Sequence, residues 1–135
     1  MDRKFWISGI ACTIVAFALG FVVHGMLLRG DYAQLPNLFR PEAEAQGYFA
    51  YMSAAHIFIG FAFAWIYRQG ITPGVPWLLQ GIRFGVAVAC LVTIPTYLIY
   101  YAVQPMPGMM VAKQIIFDGI AVILTGVVAA FINRE

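Results

Sequence analysis

Charge is what this sequence has least of. Lysine, arginine, aspartate and glutamate make up 10% of its 135 residues, against about 25% in a soluble domain. No basic run exceeds Arg3-Lys4 and the net charge is only +2, so nucleic acid is not an expected partner. Cysteine is nearly absent too. Cys12 and Cys90 both fall inside apolar stretches and read as small packing residues rather than a disulfide. The chain has no Gly-rich phosphate loop, no HExxH, no paired-cysteine site and no nucleophile–base pair. It leaves no room for a soluble catalytic domain, and the expectation is a protein that is not an enzyme.

Hydrophobic residues, by contrast, make up 62% of the chain. A soluble globule of this size has too little interior to hide that much apolar surface. Four apolar stretches, at about residues 5–28, 48–68, 78–103 and 109–132, each reach the roughly 20 residues needed to cross a bilayer. The expected fold is all-α: a single polytopic domain over 1–135, a four-transmembrane-helix bundle. Met1-Asp-Arg-Lys and Ala16-Phe17-Ala18 imitate a signal peptide, but the apolar run is too long for one, so it reads as a retained helix. Arg3, Lys4, Arg68, Arg83 and Arg134 fall on one side, with Arg29, Arg40 and Lys113 on the other. Five basic residues against three place both termini in the cytoplasm.

The breaks between spans have their own chemistry. Arg29-Gly30-Asp31 reads as the end of the first helix. Tyr32, Leu35, Leu38 and Phe39 in the following loop suit the headgroup level. Pro41, with Glu42 and Glu44 behind it, suits the first turn of a second helix that begins outside the membrane. Gly70–Pro76 is an irregular turn with two prolines and two glycines. Pro95 removes an amide from the third helix and should bend it, with Thr93 or Thr96 covering the freed carbonyl.

Spacings of three and four residues sort the helix faces. Gly9, Thr13, Ala16, Gly20 and His24 share a face of the first helix. Ser53, His56, Gly60 and Ala64 share one on the second, and Gly81, Gly85 and Ala89 open the third. Gln114, Asp118, Ala121, Thr125 and Ala129 line the fourth. Small residues let helices approach closely in lipid, so Gly9, Gly20, Gly60, Gly81 and Gly85 are the expected packing positions. The opposite faces are Phe, Ile, Val and Leu, suited to acyl chains.

The polar residues lie on the small-residue stripes. His24 and Asp118 fall about 7 and 13 Å below the outer ends of their helices, and His56 about 12 Å below the outer membrane boundary. With Tyr97, Tyr100, Tyr101 and Gln114 they form a cluster in the outer half, while Arg83 sits alone in the inner half and can snorkel. A carboxylate in hydrocarbon must be paired, hydrogen-bonded or protonated. The bland reading of Asp118 is a hydrogen-bond anchor to His24, His56 or a tyrosine; the sharper ones are a proton relay or a ligand contact. Lys113 is rotated roughly 140° from Asp118 and should snorkel outward. His24 and His56 at similar depth also permit a bis-histidine haem, and His56 with Met52 permits copper. The candidate ligand or relay residues are therefore His24, His56, Tyr97, Tyr100, Gln114 and Asp118.

Several segments carry a resemblance. They are the glycine-rich first helix, Ala55-His56…Gly60…Trp65-Ile-Tyr67, Gly81-x-Arg-Phe-Gly85, Ile94-Pro-Thr-Tyr-Leu-Ile-Tyr-Tyr101 and Lys113-Gln114…Asp118-Gly119. In these the chain resembles a broad family of uncharacterised small four-helix bacterial inner-membrane proteins, a domain of unknown function. The resemblance implies the fold and the membrane and carries no activity. The leading functional expectation is an accessory or assembly subunit, associating with other membrane subunits or with itself. The alternative is an outer-leaflet site for a quinone, lipid or metal, or an oligomeric transporter built on the same cluster.

Overall fold

The computed structural model describes residues 1–134. It is all-helical, with four helices long and apolar enough to cross a membrane. These are α1 (Arg3–Leu27), α3 (Glu42–Gln69), α4 (Trp77–Val103) and α5 (Gly108–Asn133), with a short α2 (Arg29–Ala33) after the first. Asp2 caps α1 by accepting the Phe5 N–H at 3.0 Å. From Phe21 to Leu27 the same helix widens into π geometry, and the Leu28 N–H returns five residues to Val23 at 2.9 Å. The chain turns at the fully buried Leu28. Arg29-Gly30-Asp31 is thus the first turn of α2 and not a breaker.

α3 begins as expected behind Pro41, passes through a 3-10 turn at Gln46–Tyr48 and continues to Gln69. α4 widens into π geometry at Ala89–Thr93, immediately before Pro95, with the Ile94 N–H bonded back to Ala89. Among the described residues neither Thr93 nor Thr96 bonds a carbonyl through its side chain. The missing proline amide is met by a change of helical winding instead of by a threonine hydroxyl.

The long helices alternate in direction, so both termini lie at one end, where the Lys4 ammonium donates to the Arg134 carbonyl at 3.1 Å. α1 packs along α3 and α4 along α5, and α1 against α5 joins the two pairs. At the terminal end Phe84 of α4 stands edge-on to Phe63 (5.2 Å) and Tyr67 (5.5 Å) of α3. Small residues set the crossings. A Cβ on Gly60 would sit 2.6 Å from the Thr13 Cα, and one on Gly85 would sit 2.5 Å from the Ile123 Cα. One on Gly81 would meet Ala130 and Val127 at 2.8 Å, one on Gly9 the Phe61 ring at 2.5 Å, and one on Gly20 the His56 Nε2 at 3.1 Å. All five expected packing glycines are close approaches, and Gly126 is a sixth, 2.6 Å from the Gly81 carbonyl by the same measure.

The protein exposes 8639 Å². A water-soluble monomer of 14.9 kDa exposes about 7,000 Å². The excess comes from outward-facing Phe, Ile, Leu and Val along the four long helices, with Phe58 and Leu91 each 78% exposed.

Candidate functional site

The end opposite the termini carries the polar chemistry, and four helices build it. The π turn of α1 supplies His24, α2 supplies Asp31 and Tyr32, and α4 supplies Tyr97. The first three turns of α5 supply Lys113, Gln114 and Asp118, with Gln114 and Asp118 one turn apart on one face. The segment after α2 covers them: Leu35, Leu38 and Phe39 pack with Tyr32 and Tyr97 on Met106, Met110 and Val111.

A continuous hydrogen-bonded chain runs through the cluster. The Gln114 Nε2 donates to the Tyr32 hydroxyl at 3.2 Å, and that hydroxyl meets the His24 Nδ1 at 2.5 Å. The His24 Nε2 meets the Asp118 Oδ2 at 3.0 Å, and the Tyr97 hydroxyl donates to the same oxygen. As the amide stands Tyr32 accepts from Gln114, and His24 bridges the phenol and the carboxylate through its two ring nitrogens. Beside the chain, the Lys113 ammonium reaches both Asp31 carboxylate oxygens, at 3.1 and 3.2 Å. Lys113 does turn away from Asp118, but into an ion pair instead of into solvent.

Two acceptors remain. Both bonds to Asp118 end on Oδ2, which leaves Oδ1 without a protein donor, and the side chain is 18% exposed. The Gln114 Oε1 is buried with no partner. Rotating that amide would let Oε1 accept from Tyr32 but would strand the N–H instead. One end of the amide therefore stays unmatched in either orientation, at a cost of about 1–3 kcal/mol. Burial pushes the Tyr32 phenol from 10.0 up to about 12; the charges of Asp118 and Asp31 push the same way, and the bond from Gln114 opposes them.

Four of the six expected residues, His24, Tyr97, Gln114 and Asp118, come together. His56 does not join them: its Nδ1 donates to the Met52 carbonyl at 2.8 Å, and its ring lies against Phe17 and Gly20. Tyr100 faces outward at 45% exposure. A bis-histidine haem does not fit these residues, because both His24 nitrogens are already bonded within the cluster. Met52 meets His56 through its backbone carbonyl, which is not a copper ligand set. Among the described residues no three His, Cys, Asp or Glu side chains group closely enough to hold a metal.

Tyr32 is the member that sequence reasoning placed elsewhere, at the headgroup level. The signal for it lay in two adjacent pairs: Asp31-Tyr32 meets Lys113-Gln114, acid to base and phenol to amide. Comparison with protein-family models, curated proteins and solved structures finds no match to this chain.

Proposed function

We propose that this is an integral protein of a bacterial inner membrane, crossed by all four long helices, with both termini cytoplasmic and α4 bent at Pro95. The family reading we propose is the one its resemblance suggested. We further propose that the cluster at the far end binds a small hydroxylated ligand, such as a quinol headgroup, and exchanges a proton with it. The observation that carries this is the Asp118 Oδ1, left without a protein donor one turn from the unmatched end of the Gln114 amide on α5. That oxygen calls for a ligand that donates O–H or N–H. A proton leaving such a ligand can be taken up by the Asp118 carboxylate, which the His24 Nε2 and the Tyr97 hydroxyl hold in place. The chain binds and accepts a proton, and no catalytic step is assigned to it.

Titration calorimetry of the reconstituted protein with a short-chain ubiquinol, and with its dimethyl ether, tests this. The quinol should bind and the ether, which has no donors, should not. Asp118→Asn should lower quinol affinity by about tenfold or more while the helical circular dichroism stays unchanged. Equal binding of quinol and ether, or full affinity in Asp118→Asn, would overturn the reading.

A second reading, an accessory subunit of a larger membrane complex, draws on the broad outward apolar faces of α3 and α4. Native mass spectrometry of protein extracted gently from its own membranes separates the two. A second polypeptide in constant ratio favours the subunit, and a bare chain carrying small-molecule mass favours the site.

A further inference from the structure

The cations at the two ends are treated differently. At the far end each one has a carboxylate: Arg29 with Glu42, Arg40 with Glu44 at 2.7 Å, and Lys113 with Asp31. At the terminal end Asp2 is the one carboxylate among the described residues, and Arg68 holds it at 2.8 Å. Arg83 is left with no hydrogen-bond acceptor and no ion pair among the described residues. It sits on α4 about 9 Å inside the start of the helix at Trp77, exposed on the helix surface and within snorkelling reach of the interface at that end.

Arg83 also lines a recess of about 350 Å³ between α3, α4 and the turn that joins them. Ile66, Val75 and Phe84 line it with apolar surface, and Thr72 lines it as well. The recess is held in shape by Gln80, whose Oε1 accepts the Thr72 N–H at 2.8 Å and whose Nε2 donates to the Val75 carbonyl at 2.9 Å. Gly74, at φ +80, gives the adjoining turn the left-handed conformation it needs. One unpaired guanidinium in a built, half-open, largely apolar recess is the arrangement that takes a phosphate carrying hydrocarbon. The guanidinium fork matches phosphate oxygens, and the walls match the glycerol and upper acyl carbons.

We infer that the recess at Arg83 binds the phosphate of an anionic phospholipid headgroup. The inference rests on the membrane-spanning reading, since only a lipid brings phosphate to that depth beside the helix. Native mass spectrometry of the full chain in detergent tests it, with phosphatidylglycerol, phosphatidylcholine and inorganic phosphate as separate additions. Because the choline cation of phosphatidylcholine competes with Arg83 for the same phosphate, wild type should retain one phosphatidylglycerol per chain about tenfold more strongly, and Arg83→Gln should lose that preference. Arg29→Gln, at the opposite end, should keep it. Should Arg83→Gln aggregate, Arg83→Lys, which keeps the charge but not the fork, should still show a weakened preference. Equal retention of both lipids, an unchanged preference in a folded Arg83→Gln, or displacement of the lipid by millimolar inorganic phosphate would overturn the lipid site. Extraction of membranes at alkaline pH is read in parallel. Protein released to the supernatant would sink the membrane-spanning reading itself, whereas protein retained in the pellet with no lipid preference would sink the site alone.

Discussion

Tyr32 is the joint of the far-end cluster, because its single hydroxyl bonds both the Gln114 amide and the His24 ring. Tyr32→Phe removes both bonds, strands a buried amide and a ring nitrogen, and should cost about 1–3 kcal/mol in a denaturant titration. Its ionisation gives a second, independent reading. The phenol's value in the folded protein is raised to about 12 from an ordinary 10.0, chiefly by burial. A raised value means that the folded state holds the proton more tightly than the unfolded chain. The stability so gained is present below pH 10 and is lost as pH climbs from 10 towards 12. Tyrosinate absorbance, taken as wild type minus Tyr32→Phe, should therefore rise near pH 12. A difference step centred at pH 10 would show that this phenol is in water, outside the cluster.

The crossings between helices make the sharpest contrast at the scale of whole elements. A methyl group on Gly60 drives into the Thr13 backbone, which cannot swing away as a side chain tip does. Gly60→Ala should push α1 from α3 and destabilise by about 1–3 kcal/mol. Gly119 lies in α5 with nothing within 4 Å of its added Cβ. Gly119→Ala should be neutral or should stabilise by up to about 1 kcal/mol through helix propensity. Thermal melts in the same detergent check both, and equal effects would mean that the crossings are looser than these approaches. Periodicity in the sequence made these glycines legible, because close packing in lipid leaves a spacing of three or four small residues. The polar stripe was legible for the same reason, and it brought His24, Asp118 and Gln114 to one face each. What it could not give was which neighbour each face meets. His56 packs on Phe17 and Gly20 of α1, away from the cluster, and Tyr100 faces outward beyond the π turn at Ala89–Thr93, which like that at Phe21–Leu27 shifts the residues after it round the axis. Such a turn leaves no mark in a pattern of apolar residues, and neither does the short α2 that brings Tyr32 to His24 and Gln114.

Over the whole molecule, charge is distributed along the long axis. The terminal end is clasped where the Arg68 guanidinium, helped by the Phe5 N–H, holds Asp2 down at about 2 from an ordinary 3.8. A lowered carboxylate stabilises the fold above pH 3.8, and that contribution fades as pH falls towards 2. Asp2→Asn should flatten the acid limb of a melting-temperature profile over that window, and an unchanged limb would mean that the clasp is open in solution. The same axis bears on the orientation proposed above: Arg3, Lys4, Arg68, Arg83 and Arg134 lie at the terminal end against Arg29, Arg40 and Lys113 at the far end. Loop cysteines can read this directly. In intact cells a membrane-impermeant maleimide should label Gln34→Cys in the far-end loop and spare Thr72→Cys in the terminal-end turn, until the membrane is permeabilised. The native thiols should stay silent in both conditions, since Cys12 is fully buried and Cys90 faces outward from the middle of a span. The reverse pattern would put the His24–Asp118 cluster on the cytoplasmic side, and its ligand would then have to arrive from the inner leaflet. Labelling of both loops in intact cells would leave α3 outside the bilayer, and the four-span reading would fall with it.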